Sequence, residues 1–308
     1  MRDPLALAAE VLGARAERDA PLGARTTYRV GGPAALFLEA ERDDDLRLAG
    51  RAVRASGIDV LVIGRGSNLL VSDAGFRGLA VHLGPRYERV EVQGHVVRAG
   101  GATPLPALAR RTAAAGLRGL EWAVGVPGSV GGAVRMNAGG HGSDIAATLL
   151  EIRAVDLAGR QDAAVPAAAL DLSYRHSAIG PHTVVAEAAF ELERGDAAEA
   201  EQVVAEIVRW RRVHQPGGQN AGSVFTNPPG DAAGRLIEAA GCRGLRLGTA
   251  MVSAKHANFV QADPGGRAAD VLALLRTVQE RVEAACGVVL RTEVRLVGFD
   301  RSGPEVEG

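Results

Sequence analysis

Apolar positions along this chain recur with two different periods, and each change of period marks an element. Residues 45–56 carry a helical spacing that stops at Gly57. The apolar run at 58–63 reads as a buried strand, halted by Gly64-Arg65-Gly66-Ser67-Asn68. Residues 79–83 and 90–92 are further strand candidates, and 104–115 predict a helix with Pro104 near its start and Gly116 closing it. Strands return at 149–156 and 184–192. From about residue 196 the pattern turns helical, with Val203, Val204, Ile207, Val208 and Trp210 in period over 197–213. That helix gives way to Gln215-Pro216-Gly217-Gly218, a linker by composition. A second helix is predicted over 270–286, with Val271, Leu274, Leu275, Val278 and Val282 on one face and Gly287 as its stop. Residues 288–297 then alternate: Val288, Leu290, Val294 and Leu296 point one way, Arg291, Glu293 and Arg295 the other. The tail from Phe299 is polar and expected to fray. Helices interspersed with hairpin-like strands predict an α+β fold. Its expected regions are 1–85, 86–196 and 197–308.

Composition narrows the class. The 308 residues suffice for two or three domains with real cores, and 47% hydrophobic with 23% charged is ordinary for a soluble protein. A formal charge of −1 offers no basic field for nucleic acid, so no such partner is expected. No apolar run approaches the roughly eighteen residues of a membrane span, and Met1-Arg2-Asp3-Pro4 lacks a signal peptide's apolar core. Cys242 and Cys286 stand alone and read as reduced structural thiols, with no metal site expected and a cytoplasmic location implied. Lys255 is the sole lysine among 35 Lys and Arg residues. Either chance or a need for a compact, strongly hydrated charge accounts for it.

Chemistry concentrates where the backbone is barest. Six glycines fall within residues 124–140: Gly125, Gly128, Gly131, Gly132, Gly139 and Gly140. Dense glycine is costly in conformational entropy and is kept where backbone must take positive φ or approach a ligand closely. The stretch holds no lysine, which excludes a P-loop, and its glycines do not follow the dinucleotide fingerprint between strand and helix. Gly64–Leu70 is a second bare loop, directly after a predicted strand, able to turn several N–H groups toward an anion. Two such loops together suit a dinucleotide with a pyrophosphate and a flat ring.

Three further groups carry side-chain chemistry. Ser223 lies in Ala221-Gly222-Ser223-Val224-Phe225-Thr226-Asn227-Pro228, which is no nucleophile elbow. It is either a turn hydroxyl bonded to its own backbone or a donor to a strongly basic carbanion-like centre. Tyr174, Arg175 and His176 crowd into one short segment, in which Arg175 is suited to a carboxylate held by two parallel bonds. Glu293, between arginines on a polar strand face, is either a solvated ion-pair member or a carboxylate aimed into a cleft.

Taken together, these runs resemble the UDP-N-acetylenolpyruvoylglucosamine reductase (MurB) family. The resemblance rests on Thr26–Ala34, Ile63–Leu70, Gly119–Ala133, Met136–Gly139, Tyr174-Arg175, Gly222–Phe225, Ser253–Phe259 and Glu293-Val294, in family order over nearly the whole chain. It implies a two-part FAD-binding region of the vanillyl-alcohol-oxidase (PCMH) type, at 1–85 and 86–196, and an α+β substrate domain at 197–308. It implies FAD and NADPH as cofactors, a nucleotide-sugar substrate, and hydride transfer from flavin N5 to the enolpyruvyl β-carbon, giving UDP-N-acetylmuramate for peptidoglycan synthesis. By resemblance Ser223 protonates the adjacent carbon, while Arg175 and Glu293 stabilise the enolic intermediate. Cofactor contacts are expected from Tyr28, Gly64, Gly66, Ser67, Asn68, Leu69, Gly125, Val126, Pro127, Gly128, Ser129, Gly131, Gly132, Asn137, Ala138 and Gly139. Substrate contacts are expected from Tyr174, Asn227, Arg243 and Lys255. The family's Lys-Asn-Pro is Thr226-Asn227-Pro228 here, so Lys255 or Arg243 is expected to hold the diphosphate instead. A monomer of the smaller family subtype is expected. A flavin oxidase and a non-catalytic nucleotide binder are the rival classes, and neither needs a proton donor paired with an enolate stabiliser.

Overall fold

The structure is a computed structural model that describes residues 3–159 and 161–299. The chain forms two compact units. The first comprises the chain through Asp19, Ala35–Arg65 and Arg77–Arg211; the second comprises Ala20–Ala34, Gly66–Phe76 and the chain from Arg212 onward.

The first unit holds two cores. In one, a four-stranded sheet in the order Glu17–Ala20, Ala34–Ala40, Phe76–Leu83, Val60–Ile63 is covered by the helix Asp43–Ser56. That helix turns Leu46, Ala49, Ala52 and Val53 inward and ends where Gly57 takes φ +66°, a conformation that glycine adopts without the Cβ penalty. Val60–Ile63 pairs in parallel with Phe76–Leu83, so its C-terminal end delivers the Gly64 loop. The second core lies against a five-stranded antiparallel sheet ordered Asp162–Pro166, Leu149–Asp156, Thr183–Glu191, Val96–Gly100, Val90–Gln93. Helices Leu105–Ala114, Val130–Arg135 and Ala197–His214 supply its other side. Arg153 on this sheet bridges Asp43 and Asp162, each at 2.7 Å, and so ties the two halves of the unit.

The second unit is built on an antiparallel sheet ordered Gln219–Ser223, Phe259–Ala262, Ala250–Val252, Arg246–Leu247. The helix Ala268–Cys286 packs on it through Val271, Leu274, Leu275, Val278 and Val282, all nearly or fully buried. Gly287 caps that helix at φ +68°. Tyr28, Val30 and Leu70 complete the same core, although they lie far upstream in sequence.

Two expectations change. The units are not three consecutive segments divided at 85/86 and 196/197. The helix Ala197–His214 packs Ala200, Val204 and Ile207 into the first unit's second core, while residues 20–34 and 66–76 join the second unit. The expected long strand at 288–297 narrows to Arg295–Val297, paired in parallel with Leu69–Val71, plus a single bridge from Thr292 to Phe225. Its alternation in burial survives, with Leu290 and Val294 buried and Arg291 exposed. Phe299 packs against the second unit's core, and the remainder of the predicted tail, 300–308, lies outside the described residues.

Candidate active site

In the first unit the two bare loops meet. A side chain at Gly64 would land on the hydroxyl of Ser129, and a Cβ at Gly131 would sit 3.1 Å from the Val185 carbonyl and 3.2 Å from that of Gly101. The glycine stretch is pinned by its own backbone: Gly131 donates to the Gly101 carbonyl at 2.9 Å, Val130 to that of Thr103 at 2.9 Å, and Leu105 donates to Gly128 at 3.0 Å. Gly128 takes φ +152°, and the Ser129 hydroxyl accepts from the Gly132 N–H, capping Val130–Arg135. At Gly125, Arg211 and Ile207 would stand 3.3 Å from an added Cβ. Val126 is half-buried and Pro127 exposed. Within the stretch, space is tightest at Gly139, where an added Cβ would come within 2.6 Å of Asp144, whereas Gly140 has nothing within 4 Å.

Asn137 anchors the glycine stretch through its side chain. Nearly fully buried at φ +37°, it donates to Asp144 at 3.2 Å and to the Ser173 carbonyl at 2.8 Å, and accepts from Ala146 at 3.0 Å. Its amide is taken up in holding the glycine stretch against the segment that carries Tyr174. Ala138 packs on the core, and Gly139 pairs with Asp144 in a short hairpin.

Tyr174 and Arg175 form the tip of a tight turn closed by reciprocal backbone bonds between Ser173 and His176. Arg175 sits at φ +58°, an uncommon conformation for a residue with a side chain, of the kind that gathers at functional sites. Its guanidinium turns back to donate to the Gly139 carbonyl at 3.1 Å and lies 5.0 Å from the Tyr174 ring centre. Tyr174 itself is 57% exposed.

The second unit joins the segments that carry Ser223 and Glu293 through the main chain. Ser223 ends the strand Gln219–Ser223 after a bulge, in which Asn220 and Ser223 oppose Gln261 and Phe259. Bulges re-aim side chains and recur beside active sites. The Glu293 N–H donates to the Val224 carbonyl at 2.8 Å, and Phe225 bridges Thr292. The Asn68 amide donates to the Glu293 carbonyl at 2.9 Å, joining the Gly66–Leu69 turn to the same cluster. Ser67 is half-buried and Leu69 buried in that turn. Gly66 takes φ +60° and accepts from the Thr27 N–H at 3.2 Å. Tyr28 follows, wholly buried, its hydroxyl without a hydrogen-bond partner among the described residues and its pKa raised by burial.

Asn258 is the residue whose role the sequence did not disclose. It is nearly fully buried; its carbonyl oxygen accepts from the Phe225 N–H at 3.0 Å and its amide donates to the Phe225 carbonyl at 2.8 Å. Its main-chain carbonyl takes the Val224 N–H at 2.9 Å. Neighbouring His256, its pKa lowered by burial, accepts the Asn258 N–H on Nδ1. Among the residues expected to bind substrate, Arg243 and Lys255 come together, Arg243 pairing with Glu238 at 2.8 Å and reaching the Lys255 carbonyl at 3.5 Å. Lys255 donates to the Arg212 carbonyl. Asn227 instead accepts the Ala233 N–H at 3.0 Å, at the start of the helix Ala233–Ala239. Thr226 donates to the Arg291 carbonyl through its N–H at 3.0 Å.

Residues 34–161 match the family described as an FAD binding domain, and residues 213–297 match that described as the C-terminal domain of UDP-N-acetylenolpyruvoylglucosamine reductase. Together these matches define an FAD-dependent oxidoreductase of α+β architecture. The UDP-N-acetylenolpyruvoylglucosamine reductase of Heliobacterium modesticaldum is 43% identical over 94% of this chain and 92% of its own. The corresponding reductase 2 of Symbiobacterium thermophilum is 41% identical over 93% of each. The crystal structure of the Thermus caldophilus reductase (MurB) superposes with a TM-score of 0.81 at 35% identity, over 92% of this chain and 99% of its own. The chain belongs to the UDP-N-acetylenolpyruvoylglucosamine reductase family.

Proposed function

We propose that this protein reduces UDP-N-acetylenolpyruvoylglucosamine to UDP-N-acetylmuramate with NADPH, supplying peptidoglycan synthesis. FAD, when bound, supplies the hydride acceptor and donor. Gly64, Ser129 and the glycine stretch of the first unit would hold it. The main-chain link between the segments of Ser223 and Glu293 supports the reading: Glu293 donates its N–H to the Val224 carbonyl and accepts from the Asn68 amide, so a hydroxyl and a carboxylate come from adjoining segments.

The chemistry asks for that pair. Hydride addition to the β-carbon of an enolpyruvyl group leaves negative charge on the neighbouring carbon and its carboxylate. Ser223 donates its proton to that carbon, a centre basic enough to take it from an alcohol. Arg175 balances the developing charge, its guanidinium preset by the bond to the Gly139 carbonyl. Glu293 supports the enolic form. Lys255 and Arg243 hold the diphosphate, which accounts for a family lysine being Thr226 here. Free Cys242 and Cys286 accord with a cytoplasmic setting.

Separating the half-reactions tests this. Ser223→Ala is expected to leave flavin reduction by NADPH intact and to slow reoxidation by the enolpyruvyl substrate by about 10²–10⁴-fold, the range for a lost general acid. Equal slowing of both halves, measured by stopped flow, would remove Ser223 from the proton step.

A further inference from the structure

The turn that carries Arg175 is held by hydrogen bonds rather than by burial. Its base closes where the Ala178 N–H donates to the Leu170 carbonyl at 2.7 Å, and Leu170 and Ile179 are buried in the first unit's second core. Between those anchors Asp171, Ser173, Tyr174 and His176 are all exposed. A tip of that kind has little apolar contact to fix it. Arg175 nevertheless keeps φ +58° and a guanidinium bonded to the Gly139 carbonyl at 3.1 Å.

Two side chains tie the legs of the turn down. On one leg the Asn137 amide donates to the Ser173 carbonyl at 2.8 Å. On the other the Ser177 hydroxyl donates to the Arg135 carbonyl at 2.6 Å. Alternate residues of the turn, at 173, 175 and 177, are thus bonded to the stretch 135–139, and all of them lie within the first unit.

The Arg135 carbonyl is open to a side chain for a reason local to its helix, since the last carbonyls of a helix have no intrahelical partner. Met136 donates to the Gly132 carbonyl at 3.2 Å, Ala138 to that of Ala133 at 2.8 Å and Asn137 to that of Val134 at 3.1 Å. The main chain therefore accounts for the three carbonyls before Arg135, and the Ser177 hydroxyl takes the next. At the other end of the same helix, Val130–Arg135, the Ser129 hydroxyl accepts from the Gly132 N–H inside the glycine stretch. One short helix fastens both the stretch assigned to the cofactor and the turn that carries the guanidinium. Asn137, nearly fully buried with three partners, is inseparable from folding, whereas the half-buried Ser177 hydroxyl makes one bond and can be removed locally.

We propose that Ser177 is a positioning residue for the reduction: its bond to the Arg135 carbonyl presets the Arg175 guanidinium for the charge that develops on the enolpyruvyl carboxylate. The inference rests on the proposed role of Arg175. Arginine has much rotamer freedom to lose, and misplacing a reacting or stabilising group by about 1 Å can cost on the order of 10²-fold in rate.

Stopped flow on the flavin-loaded enzyme tests this. Ser177→Ala is expected to keep its FAD and its rate of flavin reduction by NADPH, and to slow re-oxidation by saturating UDP-N-acetylenolpyruvoylglucosamine about tenfold. Ser177→Thr, which keeps the hydroxyl, should restore most of that rate. In an Arg175→Met background Ser177→Ala should add little, because the group it acts through is already gone. Wild-type re-oxidation in Ser177→Ala, or a further tenfold loss in the Arg175→Met background, would overturn the proposal. So would equal slowing of both half-reactions with a lowered melting temperature, the mark of a purely structural role. If Ser177→Ala does not fold, Ser177→Cys, close in size and a weak donor, carries the same expectation, and normal re-oxidation there overturns the proposal. Normal re-oxidation in Arg175→Met alone would instead remove the role of Arg175 itself, and the inference with it.

Discussion

Ser223 owes its setting to Asn258, a residue 35 positions away whose amide grips Phe225 on both sides of its peptide. Asn258→Ala leaves a buried N–H and a buried carbonyl unpaired, each costing about 1–3 kcal/mol. The expected outcome is a clear fall in stability by denaturant titration, together with a lower kcat and little change in KM. An unchanged kcat would make the clamp purely structural. His256 adds a pH dependence. Burial depresses its folded-state pKa below the usual 6.5, so its contribution is present above that value and is lost as pH falls beneath it. His256→Gln should flatten the stability profile below about pH 6.5 in thermal melts. At the diphosphate, Lys255→Ala is expected to raise the substrate KM, and an unchanged KM would sink that role. Ser223, Glu293 and Arg175 are visible in the sequence as reactive types in suggestive runs. Asn258 is not, because an asparagine in a turn-rich run reads the same until the register beside it is known.

The elements were legible wherever one period dominated. Residues 270–286 predict the helix Ala268–Cys286 because its apolar stripe is unbroken and Gly287 ends it. Residues 288–297 show the limit: alternation reports which face is buried, not whether a neighbouring strand exists. Only Arg295–Val297 finds a ladder partner, and that partner lies at Leu69–Val71. The glycine loops carry a sharper expectation. Gly64→Ala would put a methyl onto the Ser129 hydroxyl, and since Gly64 is not at positive φ the effect is steric alone. Purified Gly64→Ala should retain less FAD per chain by absorbance, with secondary structure unchanged by circular dichroism. Full flavin occupancy would separate that loop from the cofactor.

At the scale of the molecule, chain order and compact units do not coincide. Tyr28, Val30 and Leu70 pack into a core otherwise built from residues beyond 212, and no local pattern announces a long-range insertion of that kind. A fragment beginning at residue 212 is therefore expected to lack stable tertiary structure, shown by a collapsed amide NMR spectrum, despite containing the whole helix Ala268–Cys286. A well-dispersed spectrum would show those upstream residues to be dispensable. The family assignment and the main-chain link between the Ser223 and Glu293 segments converge on one activity, which an anaerobic titration examines directly. NADPH should bleach the bound flavin, and colour should return, with UDP-N-acetylmuramate formed, when UDP-N-acetylenolpyruvoylglucosamine is added. Flavin that stays bleached with that substrate and recolours only with oxygen would contradict the account.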